Sequence, residues 1–191
     1  MLDAAQTLFE TGGTEAMSFR AIASRVGCSH TKLYSYFDSK ADLIDALRVV
    51  SYRMLFDQLS SAAARTDDPI ESLRAIAAAY VRLGRERPQM YGLLYSDEGR
   101  MSETAPPLLD AKVAAIGICR DAIEAAADAG ALDLVGDSLT AAHMFWAGAH
   151  GLVQLELGGF LVVGCTIDEL LPSFVSALVD GLSSRSRPAA G

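Results

Sequence analysis

The stretch "VGCSHTKLYSYFDSK", residues 26–40, gathers Ser, His, Thr, Lys and two Tyr around only two large apolar positions, Leu33 and Phe37. On a helix turning about 100° per residue, Leu33 and Phe37 share one side and must face a core. Thr31 and Ser35, one turn apart, point directly away. Lys32 and Tyr34 flank that outer face, and Tyr36 sits at its edge. Thr and Ser hydroxyls can donate to or accept from base edges in a DNA major groove. Tyrosine hydroxyls can reach phosphate while their rings pack on protein. Ser18, Ser29 and Ser39 each fall at or near an expected helix start, where free amides and the helix dipole favour anions. Arg20 and Lys40 lie in first turns, where a cation opposes the dipole and weakens the helix slightly. Cations in such places suit an external anion. A solvated helix face is the plain alternative.

These side chains need a frame. Apolar residues recur at steps of three and four throughout, with Gly and Pro between the periodic segments, so the chain is expected to be all-α. A first helix is expected from about Leu2 to Thr11, with Leu2, Ala5, Leu8 and Phe9 inward and Gly12-Gly13 ending it. Ser18 is expected to cap a second, with Phe19, Ile22, Ala23 and Val26 inward. "GCS" turns the chain, and a third short helix is expected over about His30–Phe37. Two short helices joined by a three-residue turn containing Gly form a helix-turn-helix pattern. Ser39 and Asp42 form a capping box for a long fourth helix running well past residue 55. Asp68, Pro69 and Glu71 form a second start signal, and Thr166 with Glu169 a third. About nine helices are expected in all.

The 191 residues carry a net charge of −8 and are 51% apolar, which describes a globular chain and not a generally basic nucleic-acid binder. The charge is unevenly spread: residues 1–50 hold five Lys/Arg against six Asp/Glu, the remainder eleven against eighteen. Cys28, Cys119 and Cys165 have no metal spacing and no disulfide framework, so they are expected to be small core hydrophobes in a reducing cytoplasm. No signal peptide is expected. The apolar run Phe145–Cys165 contains His150, Gln154 and Glu156, which speaks for a buried helix at a subunit interface over a membrane span. Ser29 and His30 are neighbours that cannot face each other on a helix. No G-x-S-x-G, zinc-spacing pair or phosphate loop occurs. Neither an enzyme nor a metal or cofactor is expected.

The segment "LDAAQTLFETGGTEAMSFRAIASRVGCSHTKLYSYFDSKADLIDAL" resembles the DNA-binding domain of TetR (tetracycline repressor-like) regulators along almost its whole length. The matching features are "AA..LF...G", "S.R.IA...G.S" and "LY.YF.SK..L" in their joint spacing. The resemblance implies a helix-turn-helix domain over residues 1–47. A C-terminal ligand-binding and dimerisation domain would cover 48–183, and 184–191 would be a disordered tail. It implies phosphate contacts by Ser18, Arg20, Tyr34, Tyr36 and Lys40, and base contacts by His30, Thr31, Lys32 and Ser35. Cys28 stands where the family usually has Val. Family members usually have a basic segment before the first helix, and here the sequence opens at Met1-Leu2: either the arm is absent or this start is not the natural one, and minor-groove contact by an arm is unassigned. "MFWAGAHGLVQLELG" is similar to the WHG subgroup of TetR C-terminal domains through Trp146, His150 and Gly151.

The function so implied is sequence-specific binding of double-stranded operator DNA by a homodimer, a repressor released by a small-molecule effector. The rival is a helical ligand-binding or adaptor dimer whose reading head does not bind DNA. Leu139, His143, Trp146, His150, Val153 and Leu157 form a seam at three- and four-residue steps. An interface of His143, Ala147, His150, Leu171, Phe174 and Leu178, or a core within one chain, would use such positions. The aromatic and Met-rich set around Tyr80, Met90 and Met101 could line a pocket through Tyr91, Leu94, Tyr95, Phe145, Trp146 and His150. His150 would then orient a ligand or be a hydrogen-bonded buried histidine.

Overall fold

A computed structural model of the chain describes residues 1–96, 106–134, 136–161 and 164–182. Among the described residues there are nine α-helices. They are α1 (Leu2–Ala16), α2 (Phe19–Val26), α3 (His30–Leu33), α4 (Lys40–Ala63), α5 (Pro69–Glu86), α6 (Pro88–Leu94), α7 (Pro106–Asp128), α8 (Ser138–Leu157) and α9 (Ile167–Leu182). The expected tail at 184–191, most of the loop after Ser96, and Met101 lie outside the described residues.

Most helix starts carry the chemistry the sequence announces. Ser18 Oγ accepts the Ala21 amide at 3.1 Å, and Ser39 Oγ accepts the Asp42 amide at 3.2 Å. Each pairs one amide that helix geometry leaves without a partner. The Thr166–Glu169 box is reciprocal: Glu169 Oε2 accepts the Thr166 amide at 3.0 Å, and Thr166 Oγ1 accepts the Glu169 amide at 3.3 Å. The Thr166 amide and hydroxyl, both donating to Glu169 Oε2, hold that carboxyl below its ordinary range. The box at Asp68 is only half formed. Asp68 Oδ1 accepts the Ile70 and Glu71 amides, but the Asp68 amide donates to Thr66 Oγ1 at 3.1 Å, and Glu71 pairs with Arg74 instead. Thr66 is already next to that amide, so the longer glutamate arm is not needed there.

The backbone breaks at the glycines. Gly12 (φ −152°) and Gly13 (φ 62°) leave helical geometry inside α1. Gly27 closes α2 at φ 74°, a left-handed conformation that costs a side-chain-bearing residue about 1–2 kcal/mol.

Two compact units divide the chain: Met1–Leu55 with Glu86–Val113, and Phe56–Arg85 with Ala114 onward. The first has a core of Ala5, Phe9, Met17, Ile22, Leu33, Leu43 and Leu47, joined from α6 by Met90 and Leu93. Helix α6 packs on α1, and Arg87 at its start pairs with Glu10 at 2.9 Å. Tyr52 donates to the Leu94 carbonyl at 3.0 Å, and burial pushes its phenol up to about 12. The second unit packs α8 against α9. Gly148 lets the Phe174 ring lie on the α8 backbone, where a Cβ would stand 2.3 Å from that ring.

Three local expectations are corrected. Helix α3 ends at Leu33, not Phe37. The following amides make tight turns, Ser35 to the Lys32 carbonyl and Tyr36 to the Leu33 carbonyl, while the Ser35 hydroxyl competes for the Lys32 carbonyl. Val26 is 42% exposed, not inward; it is the last residue of α2, and the chain turns away at Gly27. Cys119 is buried, and its thiol is pushed up to about 12, so it stays protonated. Cys28 is half-buried, and Cys165 is exposed because it sits in the connection before the α9 cap.

Candidate nucleic-acid interface

Leu33 is fully buried and Phe37 half-buried against the first unit's core, so this segment is pinned by its apolar side. Burying one leucine contributes about 1.5–3 kcal/mol. The turn that aims α3 is closed from α2: the Gly27 amide donates to the Ala23 carbonyl, and the Cys28 amide does so at 3.0 Å.

Everything expected to face outward does. His30, Thr31, Lys32 and Ser35 are exposed, as are Ser18, Arg20 and Lys40. Tyr34 and Tyr36 are 55% and 63% exposed, high values for rings of this size. Ser18 and Ser39 hold helix starts, whereas Ser29 precedes α3 without a side-chain capping bond. Among the described residues, Arg20, Lys32 and Lys40 form no ion pair with a carboxylate of the chain. Their charge is available to an outside anion. On an acidic molecule, three unneutralised cations around one helix provide a local positive patch that net charge conceals.

One contact escaped the sequence reading. The Phe19 and Tyr34 rings meet edge to face, with centroids 4.8 Å apart. Phe19 thereby braces Tyr34 from α2 and limits where its hydroxyl can go. Helical periodicity placed Phe19 on the inner side of its helix but carried no signal of its partner.

The residues expected to line a pocket divide between the units. Tyr91 and Leu94 are buried in the first, and Tyr95 is half-buried there with its ring 5.4 Å from that of Tyr91. Phe145 is buried in the second, with Trp146 and His150 half-buried. Trp146 Nε1 donates to Tyr80 Oη at 3.0 Å, and Tyr80 Oη lies 3.3 Å from His150 Nδ1. A neutral His150 with its proton on Nε2 lets Tyr80 donate onward to Nδ1. Of the residues expected at a dimer interface, His143 and Ala147 are exposed, while Leu171, Phe174 and Leu178 are half-buried. Val153, part of the expected seam, is fully buried. Leu139, Met144, Leu155, Leu157 and Phe160 are large apolar side chains left exposed on or just after α8. Separately, an open groove is lined by Gly151, Gln154, Leu155, Leu157, Gly158 and Phe160, with no member in common with the six expected pocket residues.

Burial holds the His150 pKa below its ordinary 6.5. The unfolded chain therefore binds a proton that folded His150 resists, in the window between the lowered value and about 6.5. The stability contribution is complete above that window and is lost as pH falls through it. Chemical unfolding midpoints from pH 7.5 down to 5 should drop more steeply for the wild type than for His150→Gln. Parallel curves would show that His150 is not protected.

Two family models match. Residues 1–47 match "Bacterial regulatory proteins, tetR family" and residues 73–178 match "Tetracyclin repressor-like, C-terminal domain". Neither description names the WHG subgroup, which stays a resemblance of motif. The chain is 31% identical over 90 residues to an uncharacterized HTH-type transcriptional regulator, Rv1255c, of Mycobacterium tuberculosis (strain ATCC 25618 / H37Rv). That alignment covers 47% of this chain and 45% of the relative, so it spans about half the length of the curated protein. Among solved structures, a protein with unknown function from Rhodococcus sp. RHA1 matches with TM-score 0.83 and 25% identity over 96% of this chain and 93% of that one. The FadR transcriptional regulator from Bacillus subtilis, solved in complex with stearoyl-CoA, shares the fold with TM-score 0.72 and 16% identity, over 94% of this chain and 96% of that one.

Proposed function

This chain belongs to the TetR family of bacterial regulatory proteins, and from that membership we propose that it binds operator DNA as a homodimer and represses transcription until a small-molecule effector releases it. The observation that carries the reading is the outer side of α3 and its flanks: an exposed His30, Thr31 and Lys32 on a helix anchored by a fully buried Leu33, and an exposed Ser35 in the turn that follows it. In this reading those four residues contact bases, and Ser18, Arg20, Tyr34, Tyr36 and Lys40 contact phosphates. Residues 1–47 are the reading head and 48–183 the effector-binding and dimerisation body. The exposed apolar side chains of α8, with His143, Ala147, His150, Leu171, Phe174 and Leu178, supply the surface for the second copy. A two-fold dimer would set its two α3 helices about 34 Å apart, one turn of DNA.

Effector binding belongs in this reading to the C-terminal body, where Phe145, Trp146 and His150 share one unit with Tyr80. The neighbour FadR holds stearoyl-CoA, which makes an acyl-CoA one class to try. An effector shifts DNA binding only by its differential affinity for the two body shapes, and a hundredfold preference is worth about 2.7 kcal/mol. No catalytic role is assigned. The protein works in the cytoplasm, where its DNA is; among the described residues no helix is long and apolar enough to cross a membrane. A gel-shift assay with the DNA upstream of its own gene tests the reading. A specific complex that competitor DNA does not remove is the expected result. No specific complex at low salt would sink it.

A further inference from the structure

Resting on the reading of α3 as the element that faces bases, we propose that Ser35 recognises the exocyclic amino group of an adenine or a cytosine in the major groove. A serine hydroxyl has one proton and two lone pairs, so by residue type alone it reads either a donor or an acceptor. Here the proton is committed. Ser35 Oγ donates to the Lys32 carbonyl at 2.7 Å, the ordinary length of an O–H···O bond. The Ser35 amide reaches the same carbonyl at 3.3 Å, so the turn that ends α3 holds the side chain against the backbone. The oxygen keeps its two lone pairs, and a hydroxyl that donates becomes a better acceptor. Ser35 is an exposed residue, so a base edge can approach it.

An acceptor with no proton to give pairs with N6–H₂ of adenine or N4–H₂ of cytosine. Against guanine O6 or N7, adenine N7 or thymine O4 it sets lone pair against lone pair. Ser35 therefore contributes a fixed acceptor to the reading surface, and its preference is for a base atom that donates.

The test begins with fragments selected from random duplex DNA by the wild type and by Ser35→Ala, which identify the base pair whose preference depends on Ser35. Synthetic operators are then made with the amino group of that pair's adenine or cytosine replaced by hydrogen, or with the purine N7 replaced by C–H. Amino removal should weaken wild-type binding about fivefold more than it weakens Ser35→Ala. N7 replacement should affect the two proteins equally. A Ser35 dependence that vanishes with N7 and survives amino removal overturns the proposal, as does an operator with no Ser35-dependent pair. Either result leaves DNA reading by α3 intact. Failure of the wild type to select any sequence overturns that underlying reading instead.

Discussion

Leu33→Ala is expected to lower the unfolding free energy by about 2–5 kcal/mol, the cost of removing a buried leucine and leaving a cavity. That is a large part of the 5–15 kcal/mol that holds a typical domain together. Leu33 is fully buried in a core shared with Ile22, Leu43 and Leu47. It is also the only completely buried residue of the four in α3. The cavity would open directly under the reading surface, so specific DNA binding should fall further than global stability accounts for. Urea unfolding followed by circular dichroism measures the first effect, and gel shift at a temperature where the variant is folded measures the second. Leu33→Met keeps the volume and should cost under about 1.5 kcal/mol. An unchanged midpoint for Leu33→Ala would remove Leu33 from its role as anchor.

The second large effect concerns grip and not shape. Arg20→Ala with Lys40→Ala removes two exposed cations that no carboxylate among the described residues neutralises. Each phosphate contact contributes about 0.9 to the slope of log affinity against log salt. At 0.1 M salt one contact is therefore worth roughly eightfold, and the pair roughly sixtyfold. The double variant should lose that much on specific and random DNA alike, and its salt slope should flatten by about 1.8. Both side chains are exposed, so the unfolding midpoint should barely move. A loss confined to the specific operator, with an unchanged slope, would mean that these residues read sequence and do not grip phosphate.

Much of this frame was legible in the residues. Ser18, Ser39, Asp68 and Thr166 announced four helix starts because capping is local: a side-chain oxygen meets an amide two or three residues on, whatever the rest of the chain does. Gly12-Gly13 and Gly27 announced breaks for the same reason. The outer and inner sides of the third helix followed from one turn of spacing, which only the helix's own geometry sets. Where the reading failed, a competitor stood nearby that periodicity does not weigh. Thr66 took the Asp68 amide from Glu71, and the Ser35 hydroxyl competed for a carbonyl that a longer α3 would have used.

Contacts between segments distant in the chain were not legible. Met90 and Leu93 complete the core of the N-terminal helices, although a stripe of apolar residues on α6 says only that something covers it. Phe19 braces Tyr34, and Tyr80 joins Trp146 to His150, through partners that no spacing rule connects. From the residues alone come most of the helices, the caps at Ser18, Ser39 and Thr166, and the outward side chains of residues 30–36, because each depends on neighbours within a turn or two. The packing of the chain settles that Leu33 is fully buried while Val26 is not, and that Arg20, Lys32 and Lys40 form no ion pair with a carboxylate among the described residues. Burial and pairing depend on which distant surfaces meet, and a one-dimensional pattern cannot carry that information.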